Sequence, residues 1–236
     1  MQLFYSNNRN SGIFTFDEIE SRHIVKVLRQ RTGDTINVTD GSGSIYEAAI
    51  IDDNHRQCKA EIIRTMPSYR KHDYYLHIAI APTKNQERME WFVEKAVEMG
   101  IDEISPLVCE HSERRKINRE RLRKIALSAM KQSLKTHITK INDIQVLRDF
   151  VEKPFDGKKF IPYVSGEEEE ANSRVNDVYF RNENALFLIG PEGDFSKDEI
   201  SLAVKNNFLP VSLGSSRLRT ETAGITACCF VYLINQ

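Results

Sequence analysis

The sequence predicts an α/β protein in which a β-rich segment precedes a series of alternating strands and helices. Up to about residue 70, short runs of alternating apolar and polar residues are separated by Gly and Ser, which is typical of antiparallel strands. From residue 74 onward, short apolar runs alternate with stretches of helical period, which favours a parallel sheet covered by helices. A chain of 236 residues has room for one large or two modest domains.

The β-rich segment contains a hairpin pattern. Residues 34–40 alternate, 41–44 read GSGS, and 45–51 alternate or run apolar again, so two strands joined by a turn are expected. Residues 23–29 predict a short helix lying across a small barrel. Residues 66–70, which include a proline, predict a linker that ends the last strand.

The second segment carries longer patterns. Residues 85–99 place Met89, Phe92, Val93, Ala96 and Val97 on one helical face before a capping Gly100. Other helices are expected at 118–135, at 196–205 with Ser196 as the cap and Glu199 three residues later, and at 222–234. Strands are expected at 76–80, 104–108, 160–164, 186–189 and 209–213, and the acidic run 167–170 is expected to be a solvated loop.

Composition bounds the class of protein. No apolar run reaches transmembrane length and the first residues lack the regions of a signal peptide, so a soluble, cytoplasmic protein is expected. The cysteines form no CxxC pair, which favours reduced thiols over disulfides or zinc, and we expect no metal site. The four cysteines are Cys58, Cys109, Cys228 and Cys229.

Positive charge concentrates in one part of a chain whose net charge is only −1. From residue 110 to 140 there are ten Lys or Arg against three Glu. A local field of this kind suits a polyanion such as RNA, but a solvated helix face gives the same pattern, and the charges alone leave both interpretations open.

Two loops at predicted strand ends combine Gly with polar residues. One is 190–193 (GPEG) and the other 213–223 (LGSSRLRTETA). Ligands of open parallel sheets bind at the carboxyl ends of strands, so the two loops are expected to share one pocket. The spacing of the glycines matches neither dinucleotide nor phosphate-loop fingerprints. Thr220 or Thr222 is expected to cap the final helix.

With these loops, the chain resembles the SPOUT RNA methyltransferases, and among them the bacterial 16S rRNA uridine-N3 methyltransferases. The similarity runs in order through nearly the whole chain. It rests on 88–90 (RME), 95–100 (KAVEMG), 104–106 (ISP), 132–133 (QS), 189–193 (IGPEG), 213–214 (LG) and 218–223 (LRTETA), and near the N-terminus on His23, 27–29 (VLR) and 33–34 (GD).

The resemblance implies a small PUA-like RNA-binding β-barrel at 1–70 and a knotted parallel-sheet methyltransferase domain at 71–236. It implies S-adenosylmethionine (SAM) as cofactor, held mainly by backbone groups. Two residues depart from the family pattern: Asp194 stands where a second Gly is usual, and Lys135 where Arg is usual. The implied cofactor-binding residues are Ile189, Gly190, Pro191, Glu192, Gly193, Leu213, Gly214, Leu218, Thr220, Thr222 and Ala223.

The implied substrate is a uridine of 16S rRNA, whose N3 proton must leave while the resulting anion is stabilised. Arg219 is the cation expected at that anion or at its flanking phosphate. Glu221 is a candidate to accept the proton, although helix capping explains Glu221 equally well. Glu192 is a second candidate. Arg88 is expected to contact RNA or to form a surface ion pair. The expected RNA-binding residues are Arg29, Arg88, Arg114, Arg115, Lys116 and Lys135.

The partners and the alternatives follow from the same resemblance. A homodimer is expected through the knotted domain, because the final helix is apolar nearly all round. Two other functions compete: a catalytically silent RNA-binding protein, and a related knotted enzyme that methylates a ribose 2′-OH of tRNA. The cofactor loops disfavour the first, and the barrel-like N-terminal segment disfavours the second.

Overall fold

The computed structural model describes residues 1–69, 72–163 and 173–236, which pack as two units. The first unit comprises Met1–Lys71 together with Leu127–Ile138, and the second comprises His72–Ala126 and Thr139–Gln236. The expected acidic loop at 167–170, the last residue of the strand expected at 160–164 and the end of the linker at residue 70 lie outside the described residues. The domain boundary expected at residue 70 stays a prediction.

The first unit is built on a six-stranded curled sheet in the order β1-β4-β5-β6-β3-β2. Only β1 and β4 are parallel; the other pairs are antiparallel. The predicted hairpin is confirmed as β4 and β5. The strands are β1 (Leu3–Tyr5), β2 (Arg9–Asn10), β3 (Ile13–Thr15), β4 (Thr35–Thr39), β5 (Ile45–Asp52) and β6 (Lys59–Met66).

A helix covers this sheet, as expected, but it begins earlier than the sequence indicated. It consists of α1 (Glu18–Arg22) and a π-helical turn (His23–Val27), with the Asp17 side chain accepting the Glu20 N–H as a cap. Glu20 is buried, accepts the Tyr5 N–H at 2.8 Å and pairs with Lys131 Nζ at 2.8 Å. These bonds satisfy a carboxylate that would otherwise be costly to bury.

The second unit is built on a sheet whose pairs are all parallel. Its order is β10-β8-β7-β13-β11-β14-β12, with the short β9 also paired to β8. All residues of β7 and β13 are buried, because a parallel sheet is covered on both faces. The strands are β7 (Leu76–Ile80), β8 (Glu103–Val108), β9 (Lys140–Ile141), β10 (Gln145–Val146), β11 (Lys158–Pro162), β12 (Ser173–Arg174), β13 (Ala185–Ile189) and β14 (Phe208–Ser212).

Helices α2 and α7 pack on each other in the second unit. The five α2 residues expected to face inward are all buried, and Gly100 ends the helix in the left-handed conformation at φ 92°. Gly224 of α7 makes the close approach possible, because a Cβ there would lie 2.6 Å from the Phe92 ring. The helices are α2 (Gln86–Met99), α3 (Arg119–Gln132), α4 (Leu147–Val151), α5 (Val175–Val178), α6 (Lys197–Lys205) and α7 (Thr220–Ile234).

The starts of the last two helices differ in how they are capped. The predicted capping box at α6 is confirmed, with Ser196 and Glu199 bonding each other's backbone N–H groups. The expected threonine cap of α7 is wrong: the cap position is Arg219, and its side chain makes no capping bond. Thr220 instead lies inside the first turn, where its hydroxyl donates to the carbonyl of Gly190.

Two features are absent from the described residues: a membrane-spanning helix and a cluster of metal ligands. None of the helices in these ranges is long and apolar enough to cross a membrane. Within 1–69, 72–163 and 173–236, no group of three or more His, Cys, Asp or Glu side chains is arranged to hold a metal ion. Cys228 is a buried core residue, and Cys229 beside it is partly buried.

Candidate functional site

A cavity of about 580 Å³ lies in the second unit, at the carboxyl ends of three neighbouring strands. Strands β11, β13 and β14 are adjacent in the sheet, so the loops that follow them meet at one edge. The two loops that the sequence singled out line this cavity together, as expected. The beginning of α7 closes one side of it.

The GPEG loop is a tight turn fixed from two sides. The Asp194 N–H donates to the Pro191 carbonyl at 3.0 Å, which closes the turn. The Thr220 hydroxyl donates to the Gly190 carbonyl at 3.0 Å, and the Lys84 backbone N–H donates to Glu192 Oε1 at 3.0 Å. The loop is therefore positioned before any ligand enters, which lowers the cost of binding.

Asp194 stands where a glycine is usual, and its backbone geometry shows how an aspartate can occupy this position. Its backbone lies in the left-handed region at φ 62°, which glycine adopts most easily and Asp better than most other residues. Its Oδ1 accepts the N–H of Phe195 at 2.8 Å, a local bond that supports the turn. The loop keeps its conformation, and a carboxylate is added to the cavity lining.

Most of the residues expected to bind the cofactor line the cavity. Gly193 and Thr222 do not. Gly193 packs instead against His111, where an added Cβ would lie 3.0 Å from the His111 Cβ, and Thr222 is exposed on α7. The predicted residues that line the cavity are Ile189, Gly190, Pro191, Glu192, Leu213, Gly214, Leu218, Thr220 and Ala223.

The two residues expected to be catalytic lie in different environments. Arg219 is exposed at the start of α7 and lines the cavity; within the described part of the chain its guanidinium forms no ion pair. Glu221 is buried and does not line the cavity. One of its oxygens lies 3.6 Å from Arg88 Nε, and the other has no hydrogen-bond partner among the residues described. Both roles stay predictions.

The residues expected to bind RNA are spread over both units. Arg114 donates to Gln86 Oε1 at 3.3 Å, Arg115 donates to the Glu110 carbonyl at 3.4 Å, and Lys116 is exposed. Arg88 pairs with Glu221, which fits the alternative of an ion pair. In the first unit, Arg29 is exposed with a left-handed backbone at φ 58°, and Lys135 follows α3. Their RNA contacts stay predictions.

Ion pairs neutralise part of the basic stretch. Arg119 pairs with Asp143, Arg121 with Glu90 and Arg123 with Glu120. Asp143 and Glu90 lie outside residues 110–140 and each offset one charge of the local excess, whereas Glu120 is already counted within it. The segment 114–116 keeps its charge, because no ion pair joins its three side chains to the described residues.

Seven lining residues were missed at the sequence level. Pro162 ends β11 and Tyr163 follows it, and the place of β11 beside β13 and β14 follows only from the strand order. The others lie inside or next to the two loops already singled out, and extending each loop by a few residues would have included them. They are Asp194, Val211, Ser212, Ser216 and Arg217.

Comparisons with known proteins find the same family over almost the whole chain. The model of an RNA methyltransferase domain matches residues 70–231, and that of an RNA methyltransferase PUA domain matches residues 16–63. The ribosomal RNA small subunit methyltransferase E of Rickettsia conorii is 29% identical over 98% of this chain and 95% of its own length.

Solved structures give the same result. A "probable rRNA-methyltransferase" from Porphyromonas gingivalis is similar at a TM-score of 0.92 and 40% identity, covering 100% of this chain and 98% of its own. A ribosomal RNA small subunit methyltransferase E from Neisseria gonorrhoeae, bound to S-adenosyl methionine, is similar at a TM-score of 0.87 and 25% identity, covering 100% of this chain and 98% of its own.

Proposed function

Because this chain belongs to the RNA methyltransferase family whose models match it, with an accompanying PUA domain, we propose that it methylates N3 of a uridine in 16S rRNA, using SAM. The observation that carries the proposal is the cavity formed by the GPEG loop and the 213–220 loop at the carboxyl ends of β13 and β14. The rRNA substrate is supported by the names of the relatives, and the uridine-N3 position by the motif resemblance.

The cavity suits SAM in volume and in lining. About 580 Å³ falls within the range of small-molecule sites. Gly190 and Gly214 leave backbone groups open to a ligand, while Ile189, Leu213 and Leu218 offer apolar contact. The carboxylates of Glu192 and Asp194 complement the positive charge of a sulfonium and an ammonium group. When bound, SAM supplies a methyl group that its sulfonium already activates.

The protein's part in the reaction is positioning and electrostatics. N3 of uridine lies on the Watson–Crick edge, so the base must be unpaired to reach the cavity. In this proposal, Arg219 stabilises the negative charge that appears on the uracil oxygens when N3 loses its proton. Its exposed guanidinium at the cavity rim carries no ion pair to the described residues that would compete for this role.

Three carboxylates are candidates to accept the proton. Glu192 and Asp194 line the cavity, whereas Glu221 is buried behind it and would have to act through its neighbours. Geometry therefore favours the two loop residues over Glu221 as the group in contact with the base. The Glu221–Arg88 pair is better suited to holding α2 against the start of α7.

The proposal includes the setting in which the enzyme works. The PUA-type first unit and the 114–116 segment bind rRNA, and the second unit forms a trefoil knot and pairs with a second copy, as knotted methyltransferases do. In the dimer, the arginine- and lysine-rich helix α3 of one subunit would present RNA to the cofactor of the other. The enzyme acts in the cytoplasm.

A direct product assay tests the proposal. The purified chain is incubated with SAM and 16S rRNA that lacks base modifications, and the RNA is digested to nucleosides for mass spectrometry. We expect 3-methyluridine from the wild type, and at least a tenfold lower rate from Arg219→Ala with unchanged SAM affinity. A methylated ribose, a product on tRNA alone, or no SAM binding in calorimetry would each contradict the proposal.

A further inference from the structure

A second cavity of about 260 Å³ lies in the second unit, at the carboxyl ends of β8 and β10 and beside the first turn of α6. It has an apolar wall and a charged rim, and it plays no part in the cofactor site described above. The wall is made of the buried or half-buried Val108, Leu147 and Leu202, and the rim of the exposed Glu110, Arg115, Arg148 and Asp198.

The rim presents charged groups of both signs that are available to a ligand. Arg148, Asp198 and Glu110 make no side-chain hydrogen bond or ion pair with the rest of the described chain, and Arg115 only reaches the Glu110 carbonyl at 3.4 Å. Glu199 differs, because its two oxygens accept the N–H groups of Glu110 and Ser196 at 2.8 and 2.9 Å. The open groups are therefore two guanidinium donors and two carboxylate acceptors.

This combination selects a class of ligand. The carboxylates repel a phosphate, and the guanidinium groups repel a cation. A neutral planar ring that carries hydrogen-bond donors on one edge and acceptors on another satisfies both signs, and apolar side chains contact its faces. Among RNA bases, guanine presents adjacent N–H donors on its Watson–Crick edge, which suit one carboxylate, and the O6 and N7 acceptors, which arginine recognises in a bidentate manner.

The cavity adjoins the cofactor cavity through a shared loop. Residues 190–196 line both cavities: Glu192 and Asp194 line the first, and Ser196 lines the second. Asp194 and Ser196 are two residues apart, so the chain between them spans at most roughly 7 Å. The His111 ring, 3.0 Å from the Asp194 carbonyl, also ties the loop after β8 to this wall. Neighbouring nucleotides of an unstacked strand can enter the two cavities side by side.

We propose that the second cavity binds a guanine base of the RNA substrate, next to the nucleotide that is methylated. Asp198 accepts the N1 and N2 hydrogens of the base, and Arg148 donates to its O6 and N7. The inference rests on the proposed function, since it requires RNA at the cofactor cavity. It adds a base-reading pocket that fixes which uridine is presented.

Oligonucleotide binding tests this proposal. Fluorescence anisotropy is measured for the full chain with short single-stranded RNAs that carry one uridine and a guanosine on its 5′ or its 3′ side. Replacing that guanosine with inosine removes only the N2 amino group. In at least one of the two orientations we expect about a tenfold loss of affinity, which is the scale of one lost base-edge contact.

Variants assign the effect to the cavity. Asp198→Asn is expected to bind guanosine and inosine RNAs alike, whereas Asp149→Asn, an exposed residue on α4 that does not line the cavity, keeps the discrimination. Arg148→Gln is expected to lower the affinity for both RNAs. Equal affinity for the two RNAs in the wild type, or discrimination that survives Asp198→Asn, would overturn the proposal. Uniform weakening by Arg148→Gln without any guanosine preference would show a phosphate contact and overturn it too.

Failure of this inference is distinguishable from failure of the proposed function. The anisotropy measurement requires no methyl transfer, and 3-methyluridine formation on full-length 16S rRNA is measured separately. If the wild type methylates 16S rRNA but shows no preference for guanosine, only the proposed guanine pocket is ruled out. If no methylated uridine is formed, the proposed function itself is ruled out.

Discussion

His77 is buried in the core of the second unit, beside the carboxylate of Glu103. Its Nε2 lies 2.8 Å from the Ser105 hydroxyl, its Nδ1 lies 3.9 Å from Glu103, and the Phe150 ring meets it edge-on. Burial lowers the pKa of His77 from 6.5 to about 4, an effect that the Glu103 charge opposes only in part. The imidazole is therefore neutral in the folded protein at neutral pH.

The depressed pKa of His77 predicts a pH dependence of stability. Below pH 6.5 the unfolded chain protonates this histidine, but the folded chain does so only near pH 4, so stability falls as the pH drops through this window. Between pH 7 and 5 the loss from this residue is about 2 kcal/mol. Urea unfolding followed by the fluorescence of Trp91, the sole tryptophan, reports the second unit.

His77→Phe provides the matched control, because it removes the titrating group and keeps an aromatic ring. The variant is expected to lose less stability than the wild type between the two pH values, by about 2 kcal/mol. Identical pH slopes in the two proteins would show that another group titrates in this window.

Gly190 is predicted to be essential for cofactor binding. A Cβ at this position would lie 3.1 Å from the Phe195 ring and 3.4 Å from Asp194 Oδ1. The two further methyl groups of valine must displace the loop or enter the cavity. Gly190→Val is expected to lower SAM affinity at least tenfold in calorimetry, and Gly190→Ala to lower it less.

Ser215→Val is the control for Gly190→Val, since Ser215 is exposed in the neighbouring loop and does not line the cavity. It is expected to keep wild-type SAM affinity. Circular dichroism of all three variants checks that they are folded. Wild-type affinity in folded Gly190→Val would mean that the loop is only a turn.

At the scale of elements, the sequence predicts those helices and strands whose buried faces repeat apolar residues at a regular spacing. Helix α2 and strands β7 and β13 were located because close packing requires apolar residues at every inward position. Strands of two residues, such as β9 and β12, leave no such pattern and were missed. The glycines and polar residues of the two loops predict most of the cavity lining. They do not predict Tyr163, because only the strand order places it beside these loops.

The segment 114–116 is predicted to contact RNA phosphates. Its three cations form no ion pair with the described residues, so they are free to release counterions when RNA binds. Neutralising Arg114, Arg115 and Lys116 to Gln is expected to lower the slope of log affinity against log salt by up to about 2, at about 0.7 per single-strand phosphate contact. SAM affinity is expected to be unchanged.

The three paired arginines of α3 supply a control of equal charge. Arg119, Arg121 and Arg123 each have a carboxylate partner, so neutralising them changes the net charge by the same amount but removes fewer free cations. A smaller change in slope is expected. If both triple variants change the slope equally, the effect of the 114–116 substitutions comes from net charge alone and not from direct phosphate contacts.

At the scale of the whole molecule, one face of α7 is not covered by the residues that the structure describes. Ala227 and Val231 are buried against the unit's own core, whereas Ile225, Phe230 and Ile234 are only partly buried. Leu233 is 67% exposed, and Trp91 on the adjacent α2 is 46% exposed. Apolar surface of this extent on a helix is typical of a protein–protein contact.

We therefore predict that α7 forms the core of a homodimer interface, with Ala223 at its cavity end. Burying the partly exposed face against a second copy stabilises it by about 25 cal/mol for each Å² of apolar surface removed from water. Light scattering at micromolar concentration is expected to give twice the chain mass of 27.2 kDa. Leu233→Asp is expected to shift this mass toward that of the monomer, because a carboxylate would be desolvated at the contact.

Ile63→Asp is the matched control for Leu233→Asp, since Ile63 is comparably exposed, at 60%, on β6 of the first unit. The control is expected to stay dimeric. If the active sites need the second copy, Leu233→Asp must also lose methylation at protein concentrations where it is monomeric and recover it at higher concentration. A wild type of 27.2 kDa with full methylation activity would show that the cofactor cavity works within one chain, and that the exposed face of α7 serves another purpose.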